Sequence, residues 1–166
     1  CLEEKNRHHR GGKSHRAKRQ SVHLRVAYCN VQNLGVAKRA ELANLLESEN
    51  FHIYGMVETF HKSEQNDLFN DLHPNYTWIG KPRHGNHTSK TGGGIGFLCQ
   101  KSIEILDMDV LSFAHDTFER FWIKIRVNSK VVMVGLAYFP NDNTNKNYSI
   151  ALADEITENI SNFKTL

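Results

Sequence analysis

The stretch Phe51-His52-Ile53-Tyr54-Gly55-Met56-Val57-Glu58 decides the fold. A short, mostly apolar run that closes on a charged residue reads as a buried strand, because a helix needs more residues and a polar face. The strand therefore delivers a carboxylate, Glu58, at its C-terminal tip. Toward the N-terminus, Ala37 to Glu49 sets Ala40, Leu42, Leu45 and Leu46 at helical spacing, with Lys38, Arg39, Glu41 and Glu47 on the other side. That spacing predicts an amphipathic helix. Before it, His23-Leu24-Arg25-Val26-Ala27-Tyr28-Cys29 has the β-prone character of a second buried strand, and it stops at Asn30. The opening is β-α-β, with a polar residue at each strand tip.

Toward the C-terminus, Gln65 to Leu72 predicts a weak helix and Tyr76 to Ile79 a short strand. Lys81 to Thr91 holds charged, small or polar residues apart from Pro82, and reads as an exposed loop. Gly92-Gly93-Gly94 ends that loop. No Lys-Ser/Thr pair follows and the next element is a strand, so the glycines read as a tight lead-in to Ile95–Cys99 and not as a phosphate cradle. Ile103 to Leu106 follows a turn at Lys101-Ser102. Phe121 to Val127 and Val131 to Phe139 form a hairpin about Asn128-Ser129, and the almost wholly apolar second strand is expected to be buried on both faces. Asn147 to Asn162 predicts a closing helix with an apolar stripe of Ile150, Ala153, Ile156 and Ile160 against the polar Asp154, Glu155, Glu158 and Asn159. Trp78 and Trp122 have apolar neighbours and read as core.

A chain of 166 residues with 39% hydrophobic and 23% charged residues fits one globular domain and excludes disordered, collagenous and membrane classes. No apolar run nears the roughly 18 residues that span a bilayer, and the charged N-terminus lacks a signal peptide's apolar core. Cys1, Cys29 and Cys99 are an odd number without Cys-x-x-Cys spacing, which argues against a disulfide framework or structural zinc and for a reducing compartment. The net charge of +3 hides an asymmetry: residues 1–20 hold seven lysines and arginines against two glutamates, while the remainder holds 14 basic and 16 acidic side chains. Residues 1–21 therefore read as a basic, disordered arm, either facing nucleic acid or serving as a solvated linker. Residues 22–166 form the folded part. The chain starts at Cys1 and its first methionine is Met56, beyond the first predicted strand, so it is read as a piece of a longer polypeptide.

Asn30, Glu58, and Tyr138 with Asn141 just beyond it stand at the ends of strongly apolar strands, where rigid elements fix geometry and following loops admit a ligand. A carboxylate partly desolvated at such a tip needs a cation or donors to offset its burial. Magnesium suits a site with one visible acid, since it keeps most of its water and takes one or two protein carboxylates. Asn30 supplies both an acceptor and a donor for the metal's water or a phosphate oxygen.

Arg25-Val26-Ala27-Tyr28-Cys29-Asn30-Val31, Tyr54-Gly55-Met56-Val57-Glu58-Thr59, Thr91-Gly92-Gly93-Gly94-Ile95-Gly96-Phe97 and Leu136-Ala137-Tyr138-Phe139-Pro140-Asn141, in this order and spacing, resemble the endonuclease/exonuclease/phosphatase family. The glycine lead-in and Phe118-Glu119-Arg120-Phe121-Trp122-Ile123 further resemble the endonuclease domains of non-LTR retrotransposons, and the likeness covers about residues 22–163. It implies a four-layer α/β sandwich, two mixed sheets with helices outside, here truncated before the C-terminal strands. It also implies that Glu58, with Asn30, binds Mg²⁺ (or Mn²⁺), and that Tyr138 and Asn141 belong to a Tyr-x-Pro-Asn motif near the scissile phosphate. The implied activity is metal-dependent hydrolysis of DNA phosphodiesters in a retrotransposon-derived reverse transcriptase protein, with DNA as partner, no membrane, and an intracellular, nuclear location. A phosphatase or lipid phosphodiesterase is the alternative within the family, and a non-catalytic nucleic-acid-binding module the alternative outside it.

The family's later Gly-Asp-Phe-Asn and Ser-Asp-His motifs do not occur in this sequence. His61, His84, His87 and His115 are not read as substitutes for the missing histidine but as exposed loop residues. The loop Lys81 to Lys90 offers basic side chains for tracking phosphates, or is simply solvated. The chain alone is expected to be inactive and poorly stable, with an unpaired sheet edge beside Val131 to Phe139.

Overall fold

A computed structural model describes residues 23–62, 66–82, 92–108, 119–139, 150 and 152–158. The basic arm, His84, His87, His115 and Asn141 lie outside the described residues. In chain order the elements are β1 (Val26–Asn30), α1 (Val36–Glu49), β2 (Ile53–Val57), α2 (Asn66–Asn70), β3 (Tyr76–Lys81), β4 (Ile95–Gln100), β5 (Glu104–Met108), β6 (Glu119–Val127) and β7 (Lys130–Tyr138). Residues 152–158 are helical.

The strands form two sheets, of order β1-β2-β4-β3 and β5-β6-β7. β1 runs parallel to β2, as a crossover through α1 requires, and the other pairings are antiparallel. β2 is flanked on both sides and buried at every position, as its composition predicts. Side chains alternate across the sheet. Ile53, Val57, Ile95, Phe97 and Cys99 face the second sheet's Phe121, Ile123, Ile125 and Leu136. Tyr54, Met56 and Leu98 face the opposite way, onto Leu42 and Leu46 of α1 and Phe69 of α2. At Gly55 the sheets come close: a Cβ there would lie 3.2 Å from Leu136 Cδ2, so β7 lies over β2.

The helix at 152–158 covers the outer side of the second sheet. Its Glu155 forms an ion pair with Arg120 of β6, the side chains 3% and 6% exposed, and accepts a hydrogen bond from Trp122 Nε1 at 2.7 Å. The layers are thus helix, sheet, sheet, helix, the expected sandwich.

Three expectations are corrected. β1 is not a buried strand: Val26 and Tyr28 share a face with Ile53 and Gly55, but Tyr28 is 75% exposed. β1 is the edge of its sheet, and the described part of the second sheet packs chiefly over β2 and β4. β7 is not buried on both faces, since Leu136 is its one buried residue. Among the described residues β7 has a ladder partner on one side only. The closing helix turns the side containing Glu155 inward, and leaves Ile150 and Ile156 exposed, because Arg120 and Trp122 compensate the buried carboxylate.

Smaller features hold closer to expectation. α1 buries Leu42 and Leu46 but leaves Leu45 exposed, a narrower stripe than the spacing predicts. It ends at Asn50, left-handed with φ 50°, whose N–H returns to Leu46 O. The β6–β7 hairpin turns through Asn128 (φ 49°) and Ser129 (φ 68°), the left-handed pair that a two-residue turn requires. Trp78 is buried as core.

Candidate functional site

Because β1 and β2 are parallel, their C-terminal tips end together. Asn30 stands opposite Val57, and Glu58 follows. The loop after β1 folds back onto this tip: Val31 N donates to Val57 O at 3.0 Å and Asn33 N to Glu58 O at 2.9 Å. Asn30 Oδ1 accepts from Gln32 N at 3.1 Å, a local turn that suits asparagine. Lys38 Nζ, from the first turns of α1, donates to Val31 O at 2.8 Å and Gln32 O at 3.1 Å. Gln32, Asn33, Glu58 and Phe60 all have φ between 42° and 73°. Such left-handed backbone at non-glycine residues persists only where the surroundings over-determine it, and it gathers at functional sites.

The second sheet contributes Tyr138, whose hydroxyl donates to the Glu58 carboxylate. Directly opposite Tyr138 on β6 stands Glu119. Its Oε2 accepts from Gly94 N at 2.9 Å. Gly94 O in turn accepts from Thr59 N at 3.2 Å, and Gly93 O from Phe60 N at 2.7 Å. Gly92, Gly93 and Gly94 have φ of 114°, 78° and 91°, so all three need glycine. A Cβ on Gly94 would also lie 2.3 Å from Thr59 Oγ1. The lead-in glycines therefore have a second task, namely to let the backbone pass directly over the segment that carries Glu58.

Of the residues singled out from sequence, Asn30, Glu58 and Tyr138 come together at one end of the molecule, Glu58 and Tyr138 in contact. Asn141 lies outside the described residues. His61 is corrected: it is 6% exposed, not an exposed loop residue. Its Nδ1 shares a 2.7 Å hydrogen bond with the Thr59 hydroxyl, and its ring sits edge-on to Trp78 with centroids 5.5 Å apart. The left-handed turn at Phe60 carries it inward, beneath the glycines. Sequence reading missed Thr59 and Glu119 as site residues. The signal for Glu119 was present in the alternation of β6, which places it on the same side as Phe121 and Ile123, a carboxylate where an apolar residue belongs.

The donor set fits a hard cation. The Glu58 carboxylate and the Asn30 amide oxygen are hard oxygens on adjacent strand tips, and magnesium takes one or two carboxylates and fills the rest of its sphere with water. Among the described residues no three His, Cys, Asp or Glu side chains gather into a ready-made cage.

This α/β/β/α sandwich, with its candidate site at the tips of β1 and β2 and of β7, has the endonuclease/exonuclease/phosphatase fold. Solved structures carry the likeness, and three of them are the following. The mannosyl-6-phosphatase of Bacteroides thetaiotaomicron VPI-5482 matches with TM-score 0.59 at 17% identity, over 85% of this chain and 60% of its own. D. rerio TDP2 complexed with single strand DNA product matches with TM-score 0.60 at 12% identity, over 83% and 54%. An endonuclease/exonuclease/phosphatase family protein from Bacteroides thetaiotaomicron matches with TM-score 0.57 at 18% identity, over 86% and 60%. The chain thus spans between 54% and 60% of the length of these structures. No protein-family model matches the sequence, and neither does any curated protein. Among the described residues no helix is long and apolar enough to cross a membrane.

Proposed function

We propose that the chain carries the ion-binding part of a Mg²⁺-dependent endonuclease that hydrolyses DNA phosphodiester bonds, in a protein of retrotransposon origin that acts in the nucleus. The observation that carries this reading is the contact of Tyr138 with Glu58, which joins the two sheets at the strand tips of a phosphoesterase fold. Glu58 and Asn30 would hold Mg²⁺, with Mn²⁺ as a substitute. When bound, the ion neutralises charge building on the phosphate oxygens and leaving group. Tyr138 donates its one O–H to Glu58 in the free protein, and with Glu58 on the ion that proton would turn to a phosphate oxygen and stabilise its negative charge. Asn141, three residues beyond Tyr138, is proposed as a further phosphate donor. DNA as substrate is supported by the seven lysines and arginines of residues 1–20 and by the likeness to a structure holding a DNA product. Retrotransposon origin rests on the glycine lead-in and the Phe118–Ile123 stretch.

A second reading, phosphomonoesterase, is favoured by the likeness to the mannosyl-6-phosphatase. Plasmid nicking by the full-length natural protein, with Mg²⁺ and with EDTA, tests the two. Metal-dependent nicking that Glu58→Gln reduces by orders of magnitude is the expected result. Phosphate release from monoesters with the plasmid intact selects the phosphatase. Salt-dependent DNA binding without cleavage selects a binding module.

A further inference from the structure

We infer that Glu119 is a positioning residue for the proposed reaction: by holding the Gly92–Gly94 segment it sets where Glu58 stands relative to Tyr138. The inference rests on the proposed function for its kinetic consequence and on geometry for the rest. Glu58, Thr59, Gly94, Glu119 and Tyr138 form a closed ring. Glu58 and Thr59 are covalent neighbours, Thr59 N donates to Gly94 O, and Gly94 N donates to Glu119 Oε2 at 2.9 Å. Glu119 is the ladder partner of Tyr138, whose hydroxyl returns to Glu58.

Every link bears on the same carboxylate. Glu58 has φ 54°, a conformation that does not hold itself in place. Its backbone is fastened ahead by Asn33 N on Glu58 O and behind by Thr59 N on Gly94 O. The second fastening is only as firm as Gly94, the last of three consecutive glycines with φ between 78° and 114°. Glycine loses more conformational freedom on ordering than any other residue, so such a run needs external anchors. Glu119 provides one from a side chain, through a bond to an ionised acceptor, stronger than a neutral one. Because Glu119 also sits across the ladder from Tyr138, it references both partners of the Glu58–Tyr138 contact to one position on β6.

The role differs from ion binding in what it requires of the side chain. Positioning needs an acceptor at the right reach, and glutamine retains that, whereas a ligand or a proton carrier needs the charge. Glu119→Gln, Glu119→Asp, Glu119→Ala and Glu58→Gln are therefore compared in the full-length protein by Mn²⁺ affinity, by kcat and KM for nicking, by thermal melting, and by hydrogen exchange of the Gly94, Thr59 and Phe60 amides. Glu119→Ala is expected to lower Mn²⁺ affinity by about 10- to 100-fold, as loss of a group supporting a metal ligand does. It should also lower kcat more than it raises KM and speed exchange at the three amides. Glu119→Gln should restore most of each.

A Glu119→Ala protein with wild-type affinity and kcat overturns the inference, as does Glu119→Gln as impaired as Glu119→Ala. If Glu119→Ala does not fold, Glu119→Gln near wild type with Glu119→Asp impaired supports it, and the reverse order overturns it. A wild type that binds no Mn²⁺, with Glu58→Gln indistinguishable from it, would mean that the proposed function has failed. In that case the exchange rates alone decide whether Glu119 holds the glycines.

Discussion

The Tyr138 hydroxyl donates to the Glu58 carboxylate across the interface of two sheets, from 80 positions further along the chain. Neither residue's own strand determines the contact, which exists because Leu136 seats on Gly55 and brings β7 over β2. Tyr138→Phe keeps the ring and removes the donor. A hydrogen bond to a charged group contributes about 1.5–3 kcal/mol, and partial exposure of Glu58 puts the expected loss at the low end. Urea unfolding measures that loss, and the nicking rate should fall by far more than the stability change explains.

Arg120 and Glu155 make a sharper prediction for stability. Removing one partner of a buried ion pair costs about 3–5 kcal/mol, because the other charge stays buried without it. Arg120→Met should therefore unfold at a much lower urea concentration than the wild type. The double variant Arg120→Met/Glu155→Leu should recover most of the difference, short of the Trp122 N–H bond that it also loses. A double variant no better than the single one contradicts the ion-pair account.

Alkaline pH should destabilise the fold. Burial pushes the Cys99 thiol from 9.0 up to about 12. Burial first, and then Cys29 nearby, pushes the Tyr54 hydroxyl from 10.0 up to about 12. Both groups bind their protons more tightly when folded, so their contribution is fully present below the unfolded values and is lost as pH rises toward the folded ones. The urea midpoint should hold to about pH 9 and then fall steadily toward pH 12. Native Cys99 should also resist alkylation that unfolded Cys99 accepts.

Gly94→Ala should damage stability and site together. A left-handed backbone costs a side-chain-bearing residue roughly 1–2 kcal/mol. Its new Cβ would in addition lie 2.3 Å from Thr59 Oγ1 and 3.0 Å from His61 Nδ1. The unfolding free energy should drop by more than the backbone strain alone, and Mn²⁺ affinity should drop with it.

Neutralising the seven lysines and arginines of residues 1–20 should weaken DNA binding and flatten its dependence on salt, because fewer counterions are released. The melting temperature should hardly move. An unaltered slope of log affinity against log salt assigns the arm to the solvated-linker reading.

Much of this architecture is legible in the sequence wherever local periodicity decides. β2 is apolar throughout because both its faces and both its edges are covered, and the β6–β7 hairpin is marked by Asn128-Ser129. Edge position is a different matter. Tyr28 has the same strand-like neighbours as Tyr54, yet one is exposed and the other buried, since the difference lies in what crosses over β1 and β2 rather than in either segment. Glu155 escaped for a related reason: helical spacing assigns it to the polar side, and its partner Arg120 is 35 positions upstream. His61 is hidden by glycines that the chain reaches 31 residues later. For the candidate site, strand tips point to Asn30, Glu58 and Tyr138, which the fold gathers at one end, whereas Glu119 becomes recognisable only once Gly94 is known to lie against it.

The closed ring also has a consequence for the order in which the molecule assembles. The β6–β7 hairpin needs only a two-residue turn to form, and α1 needs no distant partner at all. The ring, by contrast, joins positions 25 and 80 residues apart, and long-range closures come late because the chain loses more entropy before the contacts repay it. Glu58 reaches its working geometry only when both sheets are built and docked. A nascent or partly melted chain thus displays helices and a hairpin but not the Glu58–Tyr138 contact, and binding at the proposed ion site would report on completion of the fold.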